Sequence, residues 1–196
     1  MALKRLCVFC GARHGKRPEY AAAAQALGRT LAERGIELVY GGGNIGLMGE
    51  VADACMSAGG SAIGVIPEAM LAWEVGHQAL TRLEVVDSMH TRKARMAELS
   101  DGFIALPGGL GTFEELFEVL TWSQLGFHGK PIGLLNVANY YTPLVQMVDN
   151  GVDEGFMKPE NAALLLRDDT IDGLLRQMAE YQAPATTRRI KNEKQL

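Results

Sequence analysis

The sequence predicts one α/β domain, a parallel sheet with helices on both faces. Three observations carry this reading. Short apolar runs alternate with amphipathic stretches of helical length along most of the chain, the pattern of βαβ units. The apolar runs are near-continuous, as in strands buried on both faces. Glycine supplies 23 of 196 residues, about 12% against an average of ~7%. Eight glycines lie between Gly41 and Gly64 and four between Gly102 and Gly111. Glycine collects where backbone turns tightly or lies against a ligand. A chain of 196 residues suits one domain by size, and no linker or repeat divides it.

Each element follows from its residues. Residues 5–9 form an apolar strand that runs into Cys10-Gly11. Residues 19–34 are rich in Ala and Leu and stop at Gly35, a helix with a glycine terminator. Residues 36–40 form a strand entering Gly41-Gly42-Gly43-Asn44, and residues 45–58 form a helix halted by Gly59-Gly60. Residues 61–66 form a strand cut by Pro67, and 68–81 read as loop with some helix. A strand at 83–86 precedes a helix at 89–100 with Ser88 as its cap. The strand at 103–106 ends at Pro107-Gly108-Gly109, and a helix occupies 112–125. The last units are a strand at 131–135, a helix at 140–150, a strand at 163–166 and a helix at 171–181. Residues 1–182 thus make the domain, and 183–196 read as a flexible C-terminal tail.

Composition narrows the function. With 19 basic and 23 acidic residues the net charge is −4, which argues against nucleic acid as a partner. No apolar run reaches the ~20 residues of a membrane span, and the N-terminus lacks the pattern of a signal peptide. Three cysteines are too few for a disulfide framework and fit a reducing cytoplasm. Cys7-Val8-Phe9-Cys10 spells C-x-x-C, but it falls inside an apolar strand. A redox pair wants its first cysteine at a helix N-terminus, so packing is the better reading. The four histidines, His14, His77, His90 and His128, have no ligand spacing, and no metal is expected.

Both glycine clusters follow a strand and precede a helix. Ligands of open α/β sheets bind outside the carboxyl ends of the strands, where helix N-termini offer N–H groups to anions. A phosphate-bearing ligand is therefore expected. The segment from Gly41 to Gly49 fits G-x-G-x-x-G loosely through Gly41, Gly43 and Gly46. Gly42 and Gly43 are candidate binding positions, and a tight strand-to-helix turn is the alternative. In Pro107-Gly108-Gly109-Leu110-Gly111-Thr112-Phe113-Glu114-Glu115, Thr112 and Glu115 read as a capping box, at N-cap and N3. The three glycines exceed what a cap requires. Met89, Arg92, Met96 and Leu99 share one helix face, so Arg92 interrupts an apolar stripe. A charge turned toward a core needs a partner. Arg92 is thus a structural ion pair, a snorkelling side chain or an active-site guanidinium. His90 and His128 read as surface or loop residues, and Trp73 and Trp122 as core or interface.

The Pro107–Glu115 segment carries a PGGxGTxxE signature, and Arg92-Lys93 supplies an arginine–lysine pair before it. With Cys10-Gly11 and the Gly41 to Gly49 loop, the chain resembles the LONELY GUY family over about residues 7–175. The resemblance implies a Rossmann-like homodimer. It implies hydrolysis of the N-glycosidic bond of cytokinin riboside 5′-monophosphates, or of AMP, to an adenine-type base and ribose 5-phosphate. An AMP nucleosidase without a cytokinin role, or a nucleotide or molybdenum-cofactor carrier, are the alternatives. Arg92 and Glu115 become the catalytic pair. Lys93, Met89, Gly108, Gly109, Leu110, Gly111, Thr112, Phe113, Glu114 and Thr121 surround the nucleotide, and no cofactor is required. Ala12 stands where relatives usually carry serine, and a family glutamate that contacts substrate corresponds to Glu68 or Glu74. Relatives have also been labelled lysine decarboxylases, but no motif for a pyridoxal-phosphate lysine is present. Glu115 would stabilise charge at the ribosyl carbon or activate water. Arg92 would orient it, and the first helical turn and Lys93 would hold phosphate.

Overall fold

The computed structural model describes residues 3–71, 77 and 80–184. Among them, β1 (Arg5–Phe9), β2 (Glu37–Tyr40), β3 (Ala62–Pro67), β4 (Arg82–Val86), β5 (Gly102–Ala105), β6 (Ile132–Leu135) and β7 (Leu165–Asp168) form one sheet. Its order is β4-β3-β2-β1-β5-β6-β7, and every pairing is parallel. The helices are α1 (Pro18–Glu33), α2 (Gly46–Ser57), α3 (Met89–Leu99), α4 (Leu110–Leu125), α5 (Thr142–Asp153), α6 (Pro159–Ala162) and α7 (Ile171–Glu180). This is the expected α/β class, with a Rossmann-like sheet in a single domain.

Strand β1 explains why two layers are needed. Its alternate residues point to opposite faces, and all four from Leu6 to Phe9 are buried. Leu6 and Val8 join a core with Leu27 and Leu31 of α1, Val51 of α2 and Leu174 of α7. Cys7 and Phe9 join another with Met96 of α3 and Leu116 and Val119 of α4. The chain builds outward from β1 to β4, then returns to add β5 on the other side of β1. The strand order reverses between β1 and β5, so their carboxyl ends leave the crevice where such folds bind ligands.

Several boundaries differ from expectation, and three of them have a clear local reason. Helix α4 starts at Leu110 with Gly109 as N-cap and no side-chain cap. The capping box is therefore overturned: Thr112 lies inside the first turn and Glu115 in the second. Helix α5 begins at Thr142, with Pro143 in its first turn, a position where the missing N–H costs nothing. Strand β7 lies at the sheet edge and pairs Leu165 to Asp168 with β6, two residues beyond the expected run. Exposed Arg167 is tolerated at an edge, so an apolar run was a poor guide there. Ser88 caps α3 as expected, its side chain accepting from the Thr91 N–H.

Candidate active site

A cavity of about 770 Å³ opens at the β1/β5 crevice. The loop after β1, from Cys10 to Gly15, forms one wall, and the loop from Pro107 into α4 forms the adjoining wall, with Gly11 against Gly108. Gly41 after β2 and the side chains of Met48, Met70, Met89 and Met96 line it as well. Arg92 and Glu115 both enter this cavity, from α3 and α4. The two charges act together on the cavity floor. Burial pushes the Cys10 thiol far up; the Glu115 carboxylate adds to that shift and Arg92 opposes it. Cys7 and Cys10 are buried protonated thiols in β1, as the packing reading expects.

Arg92 is 5% exposed. Its Nη2 donates to the Gly41 carbonyl at 3.2 Å, and Nη1 lies 3.7 Å from Met89 Sδ and 3.9 Å from Met70 Sδ. Thioethers are weak acceptors, so they hold the guanidinium without competing strongly for it. Gly41 explains itself here: a Cβ on it would lie 1.9 Å from Arg92 Nη2. The glycine lets the guanidinium rest against backbone.

The α4 N-terminus is bare. Its first turn holds no acidic side chain and its N-cap is a glycine. Gly108 is required by Thr112, whose Oγ1 would sit 2.1 Å from a Cβ there. At Gly109 and Gly111 an added Cβ would meet nothing within 4 Å. Neither glycine has a positive φ, so among the described residues neither packing nor backbone strain accounts for them.

The Gly41 to Gly49 loop supports the β1 wall. Gly46 has φ +60°, and a Cβ on it would lie 2.3 Å from the Ala12 carbonyl carbon and the Arg13 nitrogen. The Leu47 N–H donates to Gly11 O at 2.9 Å, and the Gly11 N–H donates to Pro107 O at 3.0 Å. The two walls are thus tied together through backbone. Two consecutive tyrosines fix the second wall: Tyr141 Oη donates to Leu106 O at 2.6 Å and Tyr140 Oη donates to Gly108 O. Tyr140 also lines the cavity, with Tyr20 of α1 edge-on to it at 5.7 Å.

Of the expected substrate contacts, Met89, Gly108, Gly109, Leu110, Gly111, Thr112 and Glu114 line the cavity together with Arg92 and Glu115. The others do not. Gly42 and Gly43 lie outside its lining, and Gly42 packs against Leu83 and Ile66. Phe113 turns away into the core, edge-on to Tyr141. Thr121 is exposed three turns along α4, its hydroxyl donating to Phe117 O. Lys93 Nζ binds Glu114 at 2.5 Å and Glu118 at 2.9 Å. Burial would lower its pKa, but the hydrogen bonds of these carboxylates outweigh that and hold it above the ordinary value. Lys93 therefore braces α3 to α4 beside the Arg92–Glu115 pair. Glu68 is exposed outside the cavity lining. Trp73, Glu74 and the tail from residue 185 lie outside the described residues. His128, expected at the surface or in a loop, lies in the loop after α4, partly buried against Phe103.

Sequence reasoning missed Arg13, Tyr20 and Tyr140 as cavity residues. The Tyr140-Tyr141 doublet was visible, but its partners lie more than thirty residues away.

Residues 48–178 match the family model described as possible lysine decarboxylase. The chain is 50% identical to the probable cytokinin riboside 5′-monophosphate phosphoribohydrolase LOGL1 of Oryza sativa subsp. japonica, over 90% of this chain and 79% of that protein. It is 49% identical to the cytokinin riboside 5′-monophosphate phosphoribohydrolase LOG7 of Arabidopsis thaliana, over 91% and 82%. Among solved structures, the molybdenum cofactor carrier protein of Chlamydomonas reinhardtii superposes with a TM-score of 0.69 at 21% identity, covering 92% of this chain and all of that one. That last likeness is one of fold alone. On the family match and the relatives' identity and coverage, this chain belongs to the LONELY GUY family, known by the older description of possible lysine decarboxylases.

Proposed function

We propose that this protein hydrolyses the N-glycosidic bond of cytokinin riboside 5′-monophosphates, releasing the adenine-type base and ribose 5-phosphate. The observation that carries this reading is Arg92 and Glu115 entering one cavity from separate helices, beside a bare helix N-terminus. The plant relatives named for this reaction support the substrate class.

Cleavage of the ribosyl C1′–N9 bond builds positive charge on the sugar. The Glu115 carboxylate faces that charge, or accepts the proton of the attacking water. Its place in the second turn leaves the first-turn N–H groups for the 5′-phosphate. Space above Gly109 and Gly111 lets phosphate oxygens reach the backbone. Arg92 orients Glu115 and the ribose, and the methionine end of the cavity accepts the base. Decarboxylation of lysine through pyridoxal phosphate would need a Schiff-base lysine, and no lysine lines the cavity among the described residues.

A homodimer in the cytoplasm completes the proposal. Leu110 (86% exposed) and Leu125 (38%) lie along α4 with exposed Thr121, a face suited to a second copy. The three unpaired cysteines fit a reducing compartment. The test incubates purified protein with AMP and with isopentenyladenosine monophosphate and follows free base by chromatography. Wild type releases base from the isopentenyl nucleotide; Glu115→Gln and Arg92→Ala release none while their melting curves stay cooperative. Release from AMP alone would make the cytokinin assignment wrong. No release from either would favour a carrier, and monomers alone in light scattering would remove the dimer.

A further inference from the structure

We propose that Arg13 binds the substrate's phosphate, lining the same cavity as the α4 N-terminus and setting the preference for a 5′-monophosphate over the free riboside. This rests on the nucleotide reading above. The loop after β1 carries Arg13, His14, Lys16 and Arg17 within five residues, all exposed. Two of these side chains are engaged: His14 Nε2 contacts Glu50 at 3.0 Å, and Arg17 donates to Ala138 O at 3.2 Å. Arg13 and His14 are the two that line the cavity. Among the described residues Arg13 has no hydrogen-bond or ion-pair partner, so its guanidinium is uncommitted.

Its backbone, in contrast, is anchored. Gly46 lies so close beneath Ala12 and Arg13 that a Cβ there would sit 2.3 Å from the Arg13 nitrogen. Gly11 is bonded both to α2 and to the phosphate-side wall at Pro107. A side chain leaving a pinned backbone is held near its target, which lowers the ordering cost of binding. The adjoining wall offers N–H groups and no anion of its own at the helix start. A phosphomonoester dianion placed there meets the helix-end N–H groups from one side only, and its remaining lone pairs are open to a further donor. A guanidinium matches that geometry with paired donors. Ala12 brings no hydroxyl to this wall, so the neighbouring arginine is its polar contribution. Arg92 is not available for this role: it is buried, its guanidinium held against Gly41 and the methionines.

The experiment compares wild type, Arg13→Ala and Arg13→Lys in base release from AMP and from isopentenyladenosine monophosphate. Calorimetry with inorganic phosphate and with ribose 5-phosphate gives a readout independent of turnover. Arg13→Ala is expected to raise KM and weaken both anions by about tenfold, the loss falling on KM rather than kcat. Arg13→Lys should lie between, since lysine offers a point charge without the fork. Added salt should raise the wild-type KM more steeply than that of Arg13→Ala. Anion affinities and KM within twofold of wild type in Arg13→Ala would overturn the proposal. If wild type releases no base, yet anion binding still depends on Arg13, the hydrolase reading falls and the phosphate site stands.

Discussion

Gly41→Ala tests the geometry of the site most directly. The substitution adds one methyl group where Cβ would lie 1.9 Å from Arg92 Nη2, 3.1 Å from Cζ and 3.4 Å from Met48 Sδ. Ordinary contact begins near 3.4 Å, so the guanidinium must withdraw by about 1.5 Å. Gly41 does not have a positive φ, so alanine is not strained by the backbone, and the effect reports on Arg92. Withdrawal breaks the Nη2–Gly41 bond of 3.2 Å. A misplacement of about 1 Å at a reacting centre costs on the order of a hundredfold in rate, or roughly 3 kcal/mol of barrier. Loss of the buried hydrogen bond costs a further ~1–3 kcal/mol of stability. The assay is kcat for base release by Gly41→Ala, and a thermal melt for Gly41→Ala, Arg92→Ala and the double variant, the two backgrounds being compared by the melt. Because both substitutions act through one side chain, Gly41→Ala should add nothing in the Arg92→Ala background. A kcat within threefold of wild type, or an equal loss in both backgrounds, would refute the proposed role of the close approach.

Two further outcomes are expected. Lys93→Gln removes the brace to Glu114 and Glu118 between α3 and α4, where the lysine side chain is 11% exposed. It should cost about 1–2 kcal/mol of stability and lower kcat, whereas a KM increase for the monophosphate at unchanged kcat would show that Lys93 holds phosphate instead. His128 has its pKa pushed down to about 4 by burial, with Lys130 adding to the effect. Its folded value lies below the ordinary 6.5, so the neutral ring's contribution is present above pH 6.5 and lost as pH falls toward 4. The loss is on the order of 2 kcal/mol, and His128→Asn should flatten the melting temperature between pH 7 and pH 4.5; an unchanged slope would assign it to other groups.

What the sequence revealed about the site, and what it hid, divides by distance along the chain. Strand–helix alternation is local, so the parallel sheet was legible, as was the Ser88 cap at the start of α3. The helix-face spacing of Arg92 was also legible, and of the three readings it left open the burial of Arg92 removes the snorkelling one. Its partners were not: Gly41 stands 51 residues away and Met70 stands 22 away. The capping box failed because a local motif met a stronger local reason. Gly109 already makes the N-cap, and Thr112 is needed over Gly108.

The glycine clusters draw the same line more sharply. Their excess was countable from composition, but composition treats every glycine alike. In the fold they separate by what fills the space a methyl group would take. At Gly41 it is the Arg92 guanidinium, at Gly46 the backbone of the Ala12–Arg13 wall, and at Gly108 the Thr112 side chain. Each of those is answered from within the chain, so each belongs to the construction of the site. Gly109 and Gly111 are answered by nothing within 4 Å among the described residues. They flank the first residue of α4, where unpaired N–H groups point outward. A substitution series therefore distinguishes the two kinds. Gly108→Ala should lower the melting temperature, because Thr112 must move. Gly109→Ala should melt with the wild type and bind ribose 5-phosphate less well, because only the ligand meets the added methyl. Equal affinity for ribose 5-phosphate in wild type and Gly109→Ala would take the phosphate away from this helix end.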